Sequence, residues 1–202
     1  MKKRHVILLG LIAIGAYYWY DTRPITHAGK GQVAPAQPLQ TPTEASAFGF
    51  KDDYTIQPLA DFEITARVLS RRRYRLDKES NLAPVDLALG WGPMSDDAVL
   101  SGLRITQRGR WYRWNSSTRN LPVPRRQIEH NSANMHLIPA DKTTDREIKS
   151  AKTGDVVRFS GHLVRVQHTT GWRWVSSLTR TDTGSGACEV VFVQQFEVIT
   201  EK

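Results

Sequence analysis

Residues 154–164 read GDVVRFSGHLV. The run 156–166 is rich in β-branched residues, which suit a pleated strand. Gly161 sits inside it and marks a bulge or sharp bend. Working outward, the same period of two recurs. Phe62, Ile64, Ala66 and Val68 alternate with Glu63, Thr65 and Arg67, the pattern of a half-buried strand. Residues 104–107 and 111–114 flank Arg108, Gly109 and Arg110, a hairpin signal. Residues 172–178 form another strand. Residues 188–199 form the last, after the turn-rich Asp182-Thr183-Gly184-Ser185-Gly186.

Helical signals are few. Ser95, Asp96 and Asp97 cap a short helix running to Gly102. Thr144-Asp145-Arg146-Glu147 is a capping box that opens about two turns of helix before Gly154. Many short strands separated by turns predict a mostly-β fold, a small barrel that is OB-like or SH3-like with one or two short helices. Residues 51–202 carry it as one compact domain, long enough for one hydrophobic core. Their charge is 23 − 18 = +5, and the whole chain carries 28 − 20 = +8.

The N-terminus reads as an address. Lys2, Lys3 and Arg4 precede an apolar run from Val6 to Ala16, followed by Tyr17, Tyr18, Trp19 and Tyr20. A basic start before an apolar run is what the secretory machinery reads. The stretch 6–20 is short of the roughly 20 residues of an upright span, but Trp and Tyr are at home among headgroups. Residues 1–23 are thus expected to be a signal-anchor, a membrane helix ahead of the body. The basic side points to a cytoplasmic N-terminus and a periplasmic C-terminal domain on a single-pass inner-membrane protein. Cleavage before Ala16, after Ala13-Ile14-Gly15, is the competing outcome. Residues 24–50, with Pro24, Pro35, Pro38 and Pro42, read as a semi-extended linker that holds the body away from the bilayer.

Composition narrows the chemistry. A single Cys188 excludes an internal disulfide and a CxxC site. GxxxxGK[ST], GxSxG and HExxH are absent, so the common nucleotide, hydrolase and zincin signatures are missing. The acidic residues lack calcium-loop spacing. No metal and no cofactor are expected.

Two kinds of candidate remain. In HNSANMHLIP (130–139), an extended chain puts His130, Ser132, Asn134 and His136 on one face and Met135 and Leu137 on the other. The two histidines would stand roughly 20 Å apart on a straight strand, too far to share an ion. One of them is a candidate general base oriented by Asn134. Cys188 is a candidate nucleophile partner. The competing reading makes these side chains structural, because Asn, Ser and His commonly satisfy nearby backbone groups. Cys188 is also in phase with Val190, Phe192, Phe196 and Val198, a core face.

The second kind is arginine interleaved with aromatics. Arg71, Arg72, Arg73 and Arg75 surround Tyr74, and Arg110, Trp111, Arg113 and Trp114 follow. On single-stranded nucleic acid such residues contact phosphates and stack on bases. Outside the inner membrane nucleic acid is not the expected partner, and arginine forks pair equally well with lipid phosphates, lipopolysaccharide or wall polymers.

The segments HNSANMHLIPA and GWRWVSSLTRTDTGSGACE, with the short N-terminal anchor, resemble a set of bacterial membrane-anchored envelope proteins to which no activity is assigned. The resemblance spans about residues 60–200 and implies an envelope address and a compact domain. The expected function is therefore binding of an envelope protein or anionic polymer. The alternatives are an envelope enzyme using His130, Asn134 and His136, and a nucleic-acid-binding OB-like domain.

Overall fold

The twenty residues of one strand, Tyr54–Arg73, organise everything else in the computed structural model of the chain. The structure describes residues 5, 8, 10–16, 23–76, 78–116, 119–179 and 187–199. In chain order the strands are β1 (Leu39–Thr41), β2 (Phe48–Phe50), β3 (Tyr54–Arg73), β4 (Val85–Gly90), β5 (Leu103–Arg108), β6 (Trp111–Ser116), β7 (Ser132–Pro139), β8 (Val156–His168), β9 (Arg173–Val175) and β10 (Glu189–Val198). The helices of the body are α1 (Asp97–Leu100), α2 (Arg125–His130) and α3 (Lys142–Ser150), with 3-10 turns at Lys78–Asn81 and Gly92–Ser95.

Five strands close a ring in the order β3-β4-β7-β10-β8 and back to β3. Every neighbouring pair is antiparallel except β7 and β10. β3 serves two neighbours because it bends. Its register slips between Pro58 and Ala60 and again between Val68 and Ser70. Such bulges increase local twist. Its first two thirds pair with β8, and its last third pairs with β4. Gly161 in β8 is where the sheet closes most tightly, since a Cβ there would lie 1.9 Å from the Phe192 carbonyl oxygen. The bend expected at Gly161 is therefore a close backbone approach, faced by a register slip between Val193 and Gln195.

Alternation decides the core. Ile64, Leu87, Leu89, Met135, Leu137, Phe159 and Val191 point into the ring and are essentially inaccessible. α3 follows β7, and Ile148 packs on this core. Asp141 caps α3 by accepting from the amides of Thr143 and Thr144. The capping box expected at Thr144 is thus corrected. The nearer cap is three residues earlier, and Thr144 is itself within the helix. Asp96 caps α1 by accepting from the Ala98 amide. On the outside, Phe48 and Phe50 of β2 and Trp172 and Trp174 cover Ile56, Val166 and Phe192. Within 172–178, residues 173–175 form β9 on β8, and the Ser176 and Ser177 amides go on to bond the Val164 and Cys188 carbonyls.

The segment 24–50 does not project as a spacer. β1 and β2 both pair with β3, Ala34 is buried, and the Ile25 amide donates to the Thr153 carbonyl at 2.9 Å. Its prolines discourage regular structure, but backbone groups of the body satisfy the chain between them. Residues 10–16 are helical and exposed. Much of the expected span 6–20 lies outside the described residues. No helix among the described residues is long and apolar enough to cross a membrane.

Candidate functional site

β5 and β6 form a two-stranded sheet of their own, joined at Gly109 and Arg110. Both turn residues have positive φ, 58° and 62°. That conformation suits the twist of a two-residue hairpin turn. It disfavours a side chain such as Arg110 unless the surroundings hold it. They do. The Tyr74 hydroxyl accepts from the Arg110 amide at 2.9 Å, and the Arg110 carbonyl accepts from Asn134 Nδ2 at 3.1 Å. The Arg110 guanidinium donates to Asp86 Oδ1 at 2.9 Å and to the Ala83 carbonyl at 3.1 Å. It stands 4.2 Å from the Tyr74 ring centroid and 5.5 Å from that of Trp174.

The outward face of β7 receives this hairpin. Ser132 Oγ accepts from the Tyr112 hydroxyl at 3.0 Å and donates to the Ile128 carbonyl. Asn134 Oδ1 accepts from Gln107 Nε2 at 2.6 Å. His136 Nδ1 faces Asp86 Oδ2 at 2.9 Å, and neither of these two atoms has another partner among the described residues. Asp86 is fully buried, and the His136 ring packs 4.7 Å from Trp174. Burial, and then the Asp86 carboxylate, raise the pKa of Tyr74, while the Arg110 amide bond pulls it back. Burial pushes Tyr112 up to about 12 against the opposing bond to Ser132.

The polar stripe is thus divided. Ser132, Asn134 and His136 do share a face, and Met135 and Leu137 point into the core. His130 does not belong with them, because it ends α2 before β7 begins. Neither histidine lines the cleft that holds Cys188, and Cys188 is half-buried with strand on its C-terminal side. Asn134 bonds the hairpin directly, and His136 reaches it through Asp86.

The arginines divide as well. Arg71 donates to the Lys149 and Ala151 carbonyls at 3.1 and 2.5 Å, and Arg73 donates to Lys149 at 2.5 Å. The last carbonyls of a helix lack intrahelical partners, so these arginines finish α3. Arg72 and Arg75 are exposed. Of the second cluster, Arg110 is inside, whereas Trp111, Arg113 and Trp114 line an open cleft of about 350 Å³.

This cleft lies between β6 and the adjoining starts of β7 and β10. Its size is that of a small-ligand site. Trp111 stands at it with 41% of its surface exposed. The Arg125 guanidinium lies 5.0 Å from the Trp114 ring and pairs with Glu129 at 3.1 Å. Trp91, Cys188 and the buried Glu189 complete the wall. Trp91, Glu129 and Glu189 are not legible as partners from sequence, since they come from separate elements. The only hint is Trp91 between Gly90 and Gly92. Among the described residues, no three His, Cys, Asp or Glu side chains are grouped to hold a metal ion. The chain matches no protein-family model, no curated protein and no solved structure.

Proposed function

We propose that the protein is a membrane-anchored binding module of the bacterial envelope, an OB-like barrel whose Trp–Arg cleft takes an anionic envelope polymer. The strand order supports the OB-like reading over the SH3-like one. Numbered along the chain, the ring strands run 1-2-3-5-4, with the one parallel pair between the third and fifth. α3 falls between the third and fourth. OB folds bind oligosaccharides and oligonucleotides across the second and third strands and the loops beside them. Here the hairpin β5–β6 is laid over that face, so a ligand is received beside the hairpin rather than on bare sheet.

One observation carries the reading. Trp111 and Arg113 remain open at the cleft mouth, whereas Arg71, Arg73 and Arg110 are engaged internally. An exposed indole stacks on ring faces, and a free guanidinium takes phosphate or carboxylate. The anchor rests on Lys2, Lys3, Arg4 and the apolar run after them, and it selects envelope glycans over nucleic acid.

The test uses the full chain with lipopolysaccharide, soluble peptidoglycan strands and oligothymidylate as probes. Salt-sensitive binding to either envelope polymer is expected. Trp111→Ala with Arg113→Glu should weaken it by about tenfold, a hot-spot-sized loss. Preference for oligothymidylate favours the nucleic-acid reading instead. Failure to bind all three overturns the polymer and leaves an envelope protein as the partner to seek.

A further inference from the structure

We infer that the body is held directly against the bilayer, with a second, apolar groove beside the chain's point of entry receiving a lipid acyl chain. This rests on the anchor reading above. From Tyr20, the last residue of the expected span, to Ile25 is five residue steps, a reach of about 18 Å at most. Ile25 is already part of the body. Its amide donates to the Thr153 carbonyl, and its carbonyl accepts from Arg67 Nη2 at 3.2 Å. Gly154 has φ +94°, and a Cβ there would meet the Ile25 carbonyl oxygen at 2.0 Å, so the two backbones are in direct contact. His27 adds a second clamp, its ring bonded to the Gly154 carbonyl at 2.8 Å and its amide to Asp97. The spacer expected from composition is consequently missing at its membrane end.

A groove of about 610 Å³ opens beside this clamp, lined by Ile25, Ala28, Leu69, Leu100, Leu103 and Ile105. Its charged residues are answered internally. Arg67 is buried and paired with Asp97, which leaves a predominantly apolar wall. An open apolar groove in water is unfavourable, and one tethered within about 18 Å of hydrocarbon has lipid as its nearest apolar occupant.

A photoreactive amino acid at Ala28 or Leu100 of the full chain, in vesicles of phosphatidylethanolamine and phosphatidylglycerol, tests this. The control position is Thr169, exposed at the far end of the β3–β8 ladder, where Tyr54 pairs with His168. Lipid adducts at Ala28 and Leu100 should exceed those at Thr169 several-fold. Leu100→Glu with Ile105→Glu should abolish the adduct at Ala28 while the chain still pellets with vesicles. Adducts equal to the Thr169 level in a chain that does pellet, or undiminished by the double variant, overturn the groove and leave the anchor standing. A chain that stays in the soluble fraction overturns the anchor and this inference together.

Discussion

Met135 and Asn134 are neighbours on β7, and each shows how one side of the strand is held. Met135 turns inward into the apolar cluster with Leu87, Leu137 and Phe159. Asn134 turns outward to the hairpin, where Gln107, Arg110 and Tyr112 meet Asn134, Asp86 and Ser132 through directed bonds. The ring closes by ladder hydrogen bonds and burial. The hairpin has no ladder to the ring; it sits on a modest apolar cluster around Met94 and Ile128 and is positioned by a polar seam. Burial is non-directional and tolerates small shifts, whereas a buried polar seam is stringent, because any partner left alone is costly. The ring therefore sets stability, and the seam sets where Trp111 and Arg113 stand.

The largest effect is expected from the ring. Phe159→Ala removes a fully buried ring stacked 5.7 Å from Phe196. It should cost about 3–5 kcal/mol in urea unfolding, with a single transition. Next comes the seam. Asp86→Asn leaves Arg110 with a neutral partner in a nearly buried site and should cost about 3 kcal/mol. Its distinguishing mark is faster amide exchange across 103–116 than across β8. Equal acceleration in both would erase the difference drawn between hairpin and ring.

Alkali supplies a third test. Tyr112 titrates near 12 when folded and near 10 when unfolded. The unfolded chain therefore loses its proton first, and stability present below pH 10 is lost as pH rises toward 12. The loss attributable to Tyr112 should be of order 3 kcal/mol and should vanish in Tyr112→Phe. The smallest change is expected from Trp111→Ala, which touches neither core nor seam. It should move stability by no more than about 0.5 kcal/mol while weakening polymer binding. A larger melting shift would place Trp111 among the hairpin's supports.

What the sequence discloses here is local. The alternation of 62–68, the last strand and the Arg108-Gly109-Arg110 turn are visible because strand period and positive-φ turns are properties of adjacent residues. The α3 cap is displaced because Asp141 and Thr144 are both good caps, and Asp141 is the one whose carboxylate accepts from the first amides. The seating of 24–50 is invisible, since it depends on Ile25 meeting Thr153 and Gln37 meeting Asn131, contacts about a hundred residues apart. For the site, the stripe's shared face was readable from its period, but its occupant was not. Only the fold brings Asp86, Arg110 and His136 to one point.

The length of β3 also dictates a timetable. The edge of β3 that β8 covers stays open until β8 is made, and Thr65 meets Arg158 across 93 residues. At the pace of ribosomes that interval is about 5–20 s. The hairpin needs only its own residues and forms in microseconds. The newborn chain therefore holds a hairpin whose seat, from Tyr74 to Asn134, is already made, and a twenty-residue strand with one edge still open. For those seconds its solubility depends on whatever covers β3.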